Sequence, residues 1–391
     1  MATALAVMLL VIVVPAATAD AVDAFIERHW SRPLPAQGEP PAGWTGLEAS
    51  LAPEACGQCH ADQYAQWQTS FHARALGPGL LGQLRDYAAD DHAGHQECLR
   101  CHAPLAEQAD ALVAELAGKD PGDAGLHRQG LVCAACHVRQ HARYGPPRRD
   151  GSVPQPGVAL PHAGWTPSDA FGDARFCGAC HQFDDDGYAL EGKLLENTLA
   201  EWQASRYARD GISCQQCHMP DRRHLWRGIH DPAMTRNGVT VETLATTVDG
   251  GTLSGGLVVR NSGTGHHFPT YLTPRIVFEG VQVDAAGSEL PDTRVEWWIA
   301  RAVTLDLSAE LFDSRIPADG ERELVYALPR AAAAVALQMT LRVEPDAFYT
   351  DFYRALLANG SGPGRVEIEQ ALQDSLASHY TLFETRMALP D

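Results

Sequence analysis

Ten cysteines fall into five pairs of one spacing: Cys56/Cys59, Cys98/Cys101, Cys133/Cys136, Cys177/Cys180 and Cys214/Cys217. A histidine follows the second cysteine every time, as His60, His102, His137, His181 and His218. A thioredoxin-like redox pair needs one such motif in a strand–helix setting, and a zinc site recruits four ligands by combining motifs, which five motifs cannot do evenly. Neither accounts for the invariable histidine. Covalent haem attachment accounts for all of it. Thiols one helical turn apart form two thioethers to the haem vinyl groups, and the adjacent imidazole turns onto the iron as proximal ligand. The spacing therefore predicts five covalently bound haem c groups.

An iron that passes electrons without binding substrate needs a second axial ligand. Seventeen histidines less the five proximal ones leave twelve. Five of these stand in favourable settings: His72 in WQTSFHARA, His162 in the loop before the fourth motif, His224 and His230 in HLWRGIHD beyond the fifth, and His266 in GTGHHFPT. His267 competes with His266, because neighbours in an extended segment point opposite ways. His92, His95, His127 and His141 form a reserve near the motifs, whereas His29 and His379 are expected to face solvent. Met219 adjoins proximal His218 and cannot cross its own haem; Met234, Met339 and Met387 remain alternative ligands, with core packing the favoured role for each. Mostly bis-histidine haems follow, with lower potentials than Met/His coordination gives.

Elements must hold these ligands in place. The motifs recur every 35 to 44 residues from Cys56 to Cys214, separated by Pro- and Gly-rich turns with few apolar side chains. The macrocycles themselves then supply the core, their burial contributing about 25 cal/mol per Å², and the haem-free chain is expected to be largely unfolded. Helices are expected over 60–76, 104–118 and 194–209 and at each motif. Beyond residue 236 the pattern changes to alternating or β-branched runs at 239–248, 252–260, 275–284, 294–303, 322–328 and 337–343, with turn residues such as Asp249-Gly250-Gly251 between them. Six or seven such strands suggest an antiparallel sandwich. Two amphipathic helices, 346–358 and 365–378, follow around a Gly-Ser-Gly-Pro-Gly break. The fold class is therefore α+β: a pentahaem domain over 20–235, a β-sandwich-like domain over 236–345 and a helical segment over 346–391.

The first 19 residues read as an export leader, an apolar run from Ala4 to Val14 followed by Ala17-Thr18-Ala19, although no Lys or Arg precedes the run. Export agrees with haem attachment outside the cytoplasm and places the protein in the periplasm or beyond. No cysteine is free for lipid attachment, and contact with a membrane is at most peripheral. The formal charge of −19 disfavours nucleic acid and anionic lipid and favours basic redox partners, such as basic cytochromes, or a quinol-oxidising complex. Asp184-Asp185-Asp186 reads as a solvated loop rather than a calcium site.

The motifs together resemble the multihaem c-type cytochromes of the cytochrome c-554 type. W-x-x-S-x-H at 67–72, CAACH at 133–137, FCGACHQF at 176–183, EWQASRYARDGISCQQCHMP at 201–220, HLWRGIHD at 224–231 and GHHFPT at 265–270 carry the resemblance, which covers most of 50–275. It implies haems in close parallel-stacked and perpendicular pairs, with His72, His162, His224, His230 and His266 as distal ligands. The pentahaem nitrite reductases typically replace one proximal histidine by lysine, which this chain does not, and the hydroxylamine oxidoreductases carry eight haems. The expectation is an electron carrier with no catalytic residue. The alternatives are a reductase of nitrogen or sulfur oxyanions with one open haem, and a subunit of a conducting filament or homo-oligomer.

Overall fold

Short helices and turns build the first part of the chain and antiparallel sheets the later part, a mixed α+β arrangement. The computed structural model describes residues 16–88, 90–122, 125–153, 159–360 and 362–390, so residues 1–15 of the expected leader lie outside it. Helices α1 (Ala16–His29), α2 (Ala61–Gln68), α3 (Pro78–Asp86), α4 (His92–His102) and α5 (Ala106–Leu116) lead the chain. Shorter helical turns at Pro53–Gly57, Cys133–His137, Ala174–Gly178 and Cys214–His218 carry or adjoin the remaining motifs. The helix expected over 60–76 stops at Gln68. Thr69 donates its hydroxyl to the Gln66 carbonyl at 2.8 Å and Ser70 to the Trp67 carbonyl at 2.7 Å, closing the helix and leaving His72 on a turn. Likewise the expected 194–209 helix divides into Thr198–Gln203 and Arg206–Arg209, with Ser205 bonded back to Trp202 between them.

Seven strands form two sheets: β1 (Thr240–Asp249), β2 (Thr252–Arg260), β3 (Arg275–Val283), β4 (Val295–Ile299), β5 (Glu321–Pro329), β6 (Ala336–Glu344) and β7 (Tyr380–Ala388). Their orders are β5-β2-β1 and β7-β6-β3-β4, antiparallel throughout. The β1–β2 hairpin pairs Asp249 with Thr252 across Gly250 and Gly251, which sit at φ 54° and 83°. Two successive positive φ values suit glycine and match the twist of the strands. Leu253, Leu257 and Val259 of β2 and Leu324 and Tyr326 of β5 meet Ile276 and Phe278 of β3 and Leu337, Met339, Leu341 and Val343 of β6 in one buried cluster. This apolar core is conventional. Clusters among the first helices are smaller, such as Leu84, Leu99, Ala103, Ala109, Leu112 and Val113.

The end of the chain departs from the expected helical segment. Helices α6 (Ala347–Ala358) and α7 (Arg365–Ala377) are present, but the chain then returns as β7, paired to β6 from Ala336–Ala388 to Val343–Tyr380. Hydrogen bonding to a central strand secures a segment whose own alternation is irregular. Helix α3 packs on α6 and α7 through its glycines: a Cβ at Gly79 would collide with the Tyr353 hydroxyl, and one at Gly82 would lie 2.7 Å from Ile368 Cδ1. His29, expected in solvent, is instead buried at 3% exposure and donates its Nε2–H to the Cys136 carbonyl at 2.8 Å. The aromatic rings of Phe25, Tyr144 and Phe176 surround it. His379 is half-buried.

Candidate haem-binding cavity

Each motif is wound so that its two thiols and its imidazole leave one helical turn together. In the first, the His60 amide donates to the Cys56 carbonyl at 2.8 Å, and in the fourth the His181 amide donates to Cys177 at 3.0 Å. No two of the ten cysteines form a disulfide. Three proximal imidazoles donate Nδ1–H to a backbone carbonyl: His102 to Ala75 at 2.6 Å, His137 to Tyr144 at 2.8 Å and His218 to Arg227 at 2.7 Å. That bond fixes the tautomer and leaves the Nε2 lone pair for a metal.

Opposite three of the proximal rings stands a second imidazole. His72 faces His181 with ring centres 6.3 Å apart, His224 faces His137 at 6.2 Å, and His266 faces His218 at 6.3 Å with planes 13° apart. Two imidazoles bound to opposite sides of one metal, each nitrogen about 2 Å from it, have centres about 6 Å apart. His224 donates Nδ1–H to Arg222 at 3.0 Å and His266 to the His267 carbonyl at 2.8 Å. The Nδ1 of His72 is buried without a partner. Burial, reinforced by the neighbouring histidines, pushes His72 down to about 3 and His218 and His224 to about 4, so these rings stay neutral as ligation requires. Burial also lowers His102, His137 and His266.

The loop that presents His266 is held by groups that no spacing in the sequence singles out. Asn261 donates its amide to the His266 carbonyl at 2.8 Å and to Ile316 at 3.0 Å. Buried Glu201 accepts from the His267 amide at 3.1 Å, Thr270 at 2.9 Å and Arg315 at 2.8 Å. It also pairs with His267 Nδ1 at 3.0 Å. Of the adjacent histidines, His267 therefore turns to Glu201 and His266 to the proximal ring. Burial works to raise the Glu201 carboxyl, but its bond to His267 and the Arg315 charge hold it below the usual range.

His162 and His230 are arranged differently. His162 lines the same cavity on a turn at φ 44°, with Nδ1 bonded to Gly164 at 2.9 Å and its amide to Glu48 at 3.1 Å. The Nε2 of His230 is taken by both carboxylate oxygens of Asp346, at 3.0 and 2.9 Å, and its ring lies 4.1 Å from that of Phe71. Neither faces a proximal ring, and among the described residues no imidazole stacks opposite His60 or His102. The reserve histidines are otherwise engaged. His95 has both ring nitrogens against carbonyls of Asp91 and Leu84, His127 binds Glu115, His141 binds Gly38, and His92 is exposed.

The five motif histidines and the five candidate distal histidines, but none of the reserve set, line one cavity of about 2840 Å³, together with Cys56, Cys59, Cys98, Cys101, Cys133, Cys136, Cys177, Cys180, Cys214 and Cys217. A pocket for a single drug-sized ligand is about 300–1,000 Å³. The cavity suits several large flat groups in contact. Thiols of different motifs come near one another across it: Cys56 and Cys133, Cys101 and Cys180, and Cys177 and Cys214. Among the described residues no three His, Cys, Asp or Glu side chains converge as a zinc site would need. Asp184 pairs with Arg32 at 2.8 Å on the surface. The residues present fit covalently held haem.

Comparison with known proteins agrees. The family described as cytochrome c554 and c-prime matches residues 55–138. A curated relative, cytochrome c-552 of Aliarcobacter butzleri (strain RM4018), is 28% identical over 191 residues, 45% of this chain and 36% of that protein. The match thus spans little more than a third of the relative's length. A solved penta-heme cytochrome c552 from Thermochromatium tepidum shares the fold, with a TM-score of 0.61 over 88% of this chain and all of that one at 18% identity. No helix among the described residues is long and apolar enough to cross a membrane. With its repeated C-x-x-C-H motifs gathered on one cavity, the chain is similar to the multihaem c-type cytochromes, and its residues are those that hold haem c covalently.

Proposed function

We propose that the protein is an exported pentahaem cytochrome that carries electrons between redox partners in the periplasm or outside the cell. One haem is held at each of its five C-x-x-C-H motifs. The observation that carries this reading is the set of three imidazole pairs 6.2–6.3 Å apart, the spacing of bis-histidine iron. His72, His224 and His266 are the distal ligands of the fourth, third and fifth haems, and His162 and His230 serve the haems of His60 and His102. His230 would do so through Nδ1, its Nε2 being held by Asp346.

The thiol contacts support an electron path. A thiol of the first motif lies near one of the third, one of the second near one of the fourth, and one of the fourth near one of the fifth. Cys136 of the third lies near enough to Cys177 and Cys180 of the fourth to raise both thiols electrostatically. The path then runs first, third, fourth, fifth, with the second haem branching from the fourth. Once bound, the haems supply the redox chemistry. The chain's own groups orient them, select the low-spin state and exclude water. Residues 20–235 form the haem-bearing unit, with the two sheets beyond it as a β-sandwich-like support. The overall charge of −19 favours basic redox proteins or a quinol-oxidising complex over most of the surface.

A resting ferric spectrum with only low-spin signals is the expected result. The second reading, a reductase of nitrogen or sulfur oxyanions, is favoured by one observation: no imidazole stacks opposite His60 or His102 among the described residues. It requires a high-spin component that shifts when nitrite or cyanide is added. That component would displace the carrier reading.

A further inference from the structure

The two loops that hold the axial ligands of the third haem are also the place where exposed positive charge gathers. One loop runs from Tyr144, whose carbonyl receives His137 Nδ1–H, through Pro147 to Arg148 and Arg149. The other carries Asp221, Arg222 and Arg223 into His224. Arg222 Nη1 donates to the Pro147 carbonyl at 2.8 Å, and Arg149 reaches Asp221. Asp221 and Arg222 take positive φ values of 56° and 61°, so the second loop turns back sharply against the first. Arg148, Arg149, Arg222 and Arg223 are all exposed. Within the two loops only Asp150 and Asp221 oppose them, leaving four guanidinium groups against two carboxylates, a local charge of +2 on a chain of −19. Pro147, Arg148, Arg149 and Arg222 line the haem cavity's rim.

We propose that this rim is a docking surface for the acidic face of a redox protein, which exchanges electrons with the third haem. The guanidinium groups are spread over two loops on the surface. They do not converge on a buried point, as the site of a small anion would. A local field of this kind steers an oppositely charged protein even where net charges repel. Donor and acceptor then use faces of opposite sign, basic proteins the acidic remainder and acidic proteins this rim. The inference rests on the haem placement proposed above.

The test is stopped-flow reduction of the ferric holoprotein by three reductants: reduced plant-type ferredoxin as an acidic protein, a neutral flavin semiquinone, and dithionite as a small anion. The ferredoxin rate with the wild type should fall as salt rises. R148Q/R149Q/R222Q/R223Q should lower it about tenfold at low salt and remove the salt dependence. R148Q/R223Q leaves the bonds between the loops intact, and should show a smaller loss in the same direction; it decides the matter if the fourfold variant does not keep its low-spin spectrum. Flavin should reduce all three proteins equally. A wild-type ferredoxin rate that rises with salt, variants that keep the wild-type rate, or a loss confined to dithionite would each overturn the docking surface. Failure of the haem placement itself shows separately, as a missing low-spin absorbance change in the flavin arm.

Discussion

His266 and His267 show how a single residue's role is set by what lies beyond it. The sequence presents two equivalent imidazoles; Glu201 and Arg315, distant in the chain, claim His267 and leave His266 facing the His218 ring. His266→Ala should convert one low-spin haem to high-spin, read by electron paramagnetic resonance, whereas His267→Ala should leave the count of low-spin haems unchanged. His266→Met should raise that haem's potential, as Met/His coordination does relative to bis-histidine. Glu201 adds a pH dependence. Its folded carboxyl titrates below its ordinary value, so its stabilisation is complete above that ordinary value and is lost as pH falls through the folded one. Acid should therefore release His266 from its haem, and Glu201→Gln should weaken ligation at neutral pH while flattening the acid-side loss, both followed by the low-spin absorbance. Proximal ligands are legible from spacing alone because the motif is local. The proposed distal ligands are less so, since the loops of His266 and His224 are held by Glu201 and Gln66, which come from elsewhere in the chain.

At the scale of elements, legibility follows the range of the forces. The strands from residue 240 to 260 stand out because Val241, Leu244 and Val248 of the first turn to its less exposed face, the second carries the β-branched run Val258-Val259, and their turn takes two glycines. Strand β7 does not, because its placement comes from pairing with β6 rather than from its own pattern. The 60–76 helix fails for the opposite reason: two hydroxyls a residue apart outcompete the helix for carbonyls, and that break is what delivers His72. Glycines in α3 mark a further contact invisible in sequence. Gly82→Ala would place a methyl 2.7 Å from Ile368 Cδ1 and 3.0 Å from the Gly364 carbonyl. Such overpacking costs about 1–3 kcal/mol, and the holoprotein should show it as a lower denaturant midpoint with its haem spectrum intact below the transition.

For the whole molecule, the division between a conventional apolar core in the sheets and a cavity of about 2840 Å³, lined mostly by the chain before residue 240 and closed by the loop of His266, has one consequence. Haem must complete the fold around residues 50–235. Protein made without haem attachment should lose the cooperative thermal transition of that part while the two sheets keep theirs, a difference calorimetry resolves. Intact-mass spectrometry tests the central claim most directly, on protein purified from a host that matures c-type cytochromes. The account predicts a mass of the processed chain plus five haems, one for each C-x-x-C-H motif. A mass matching bare polypeptide, fewer than five haems, or zinc in place of iron would contradict it.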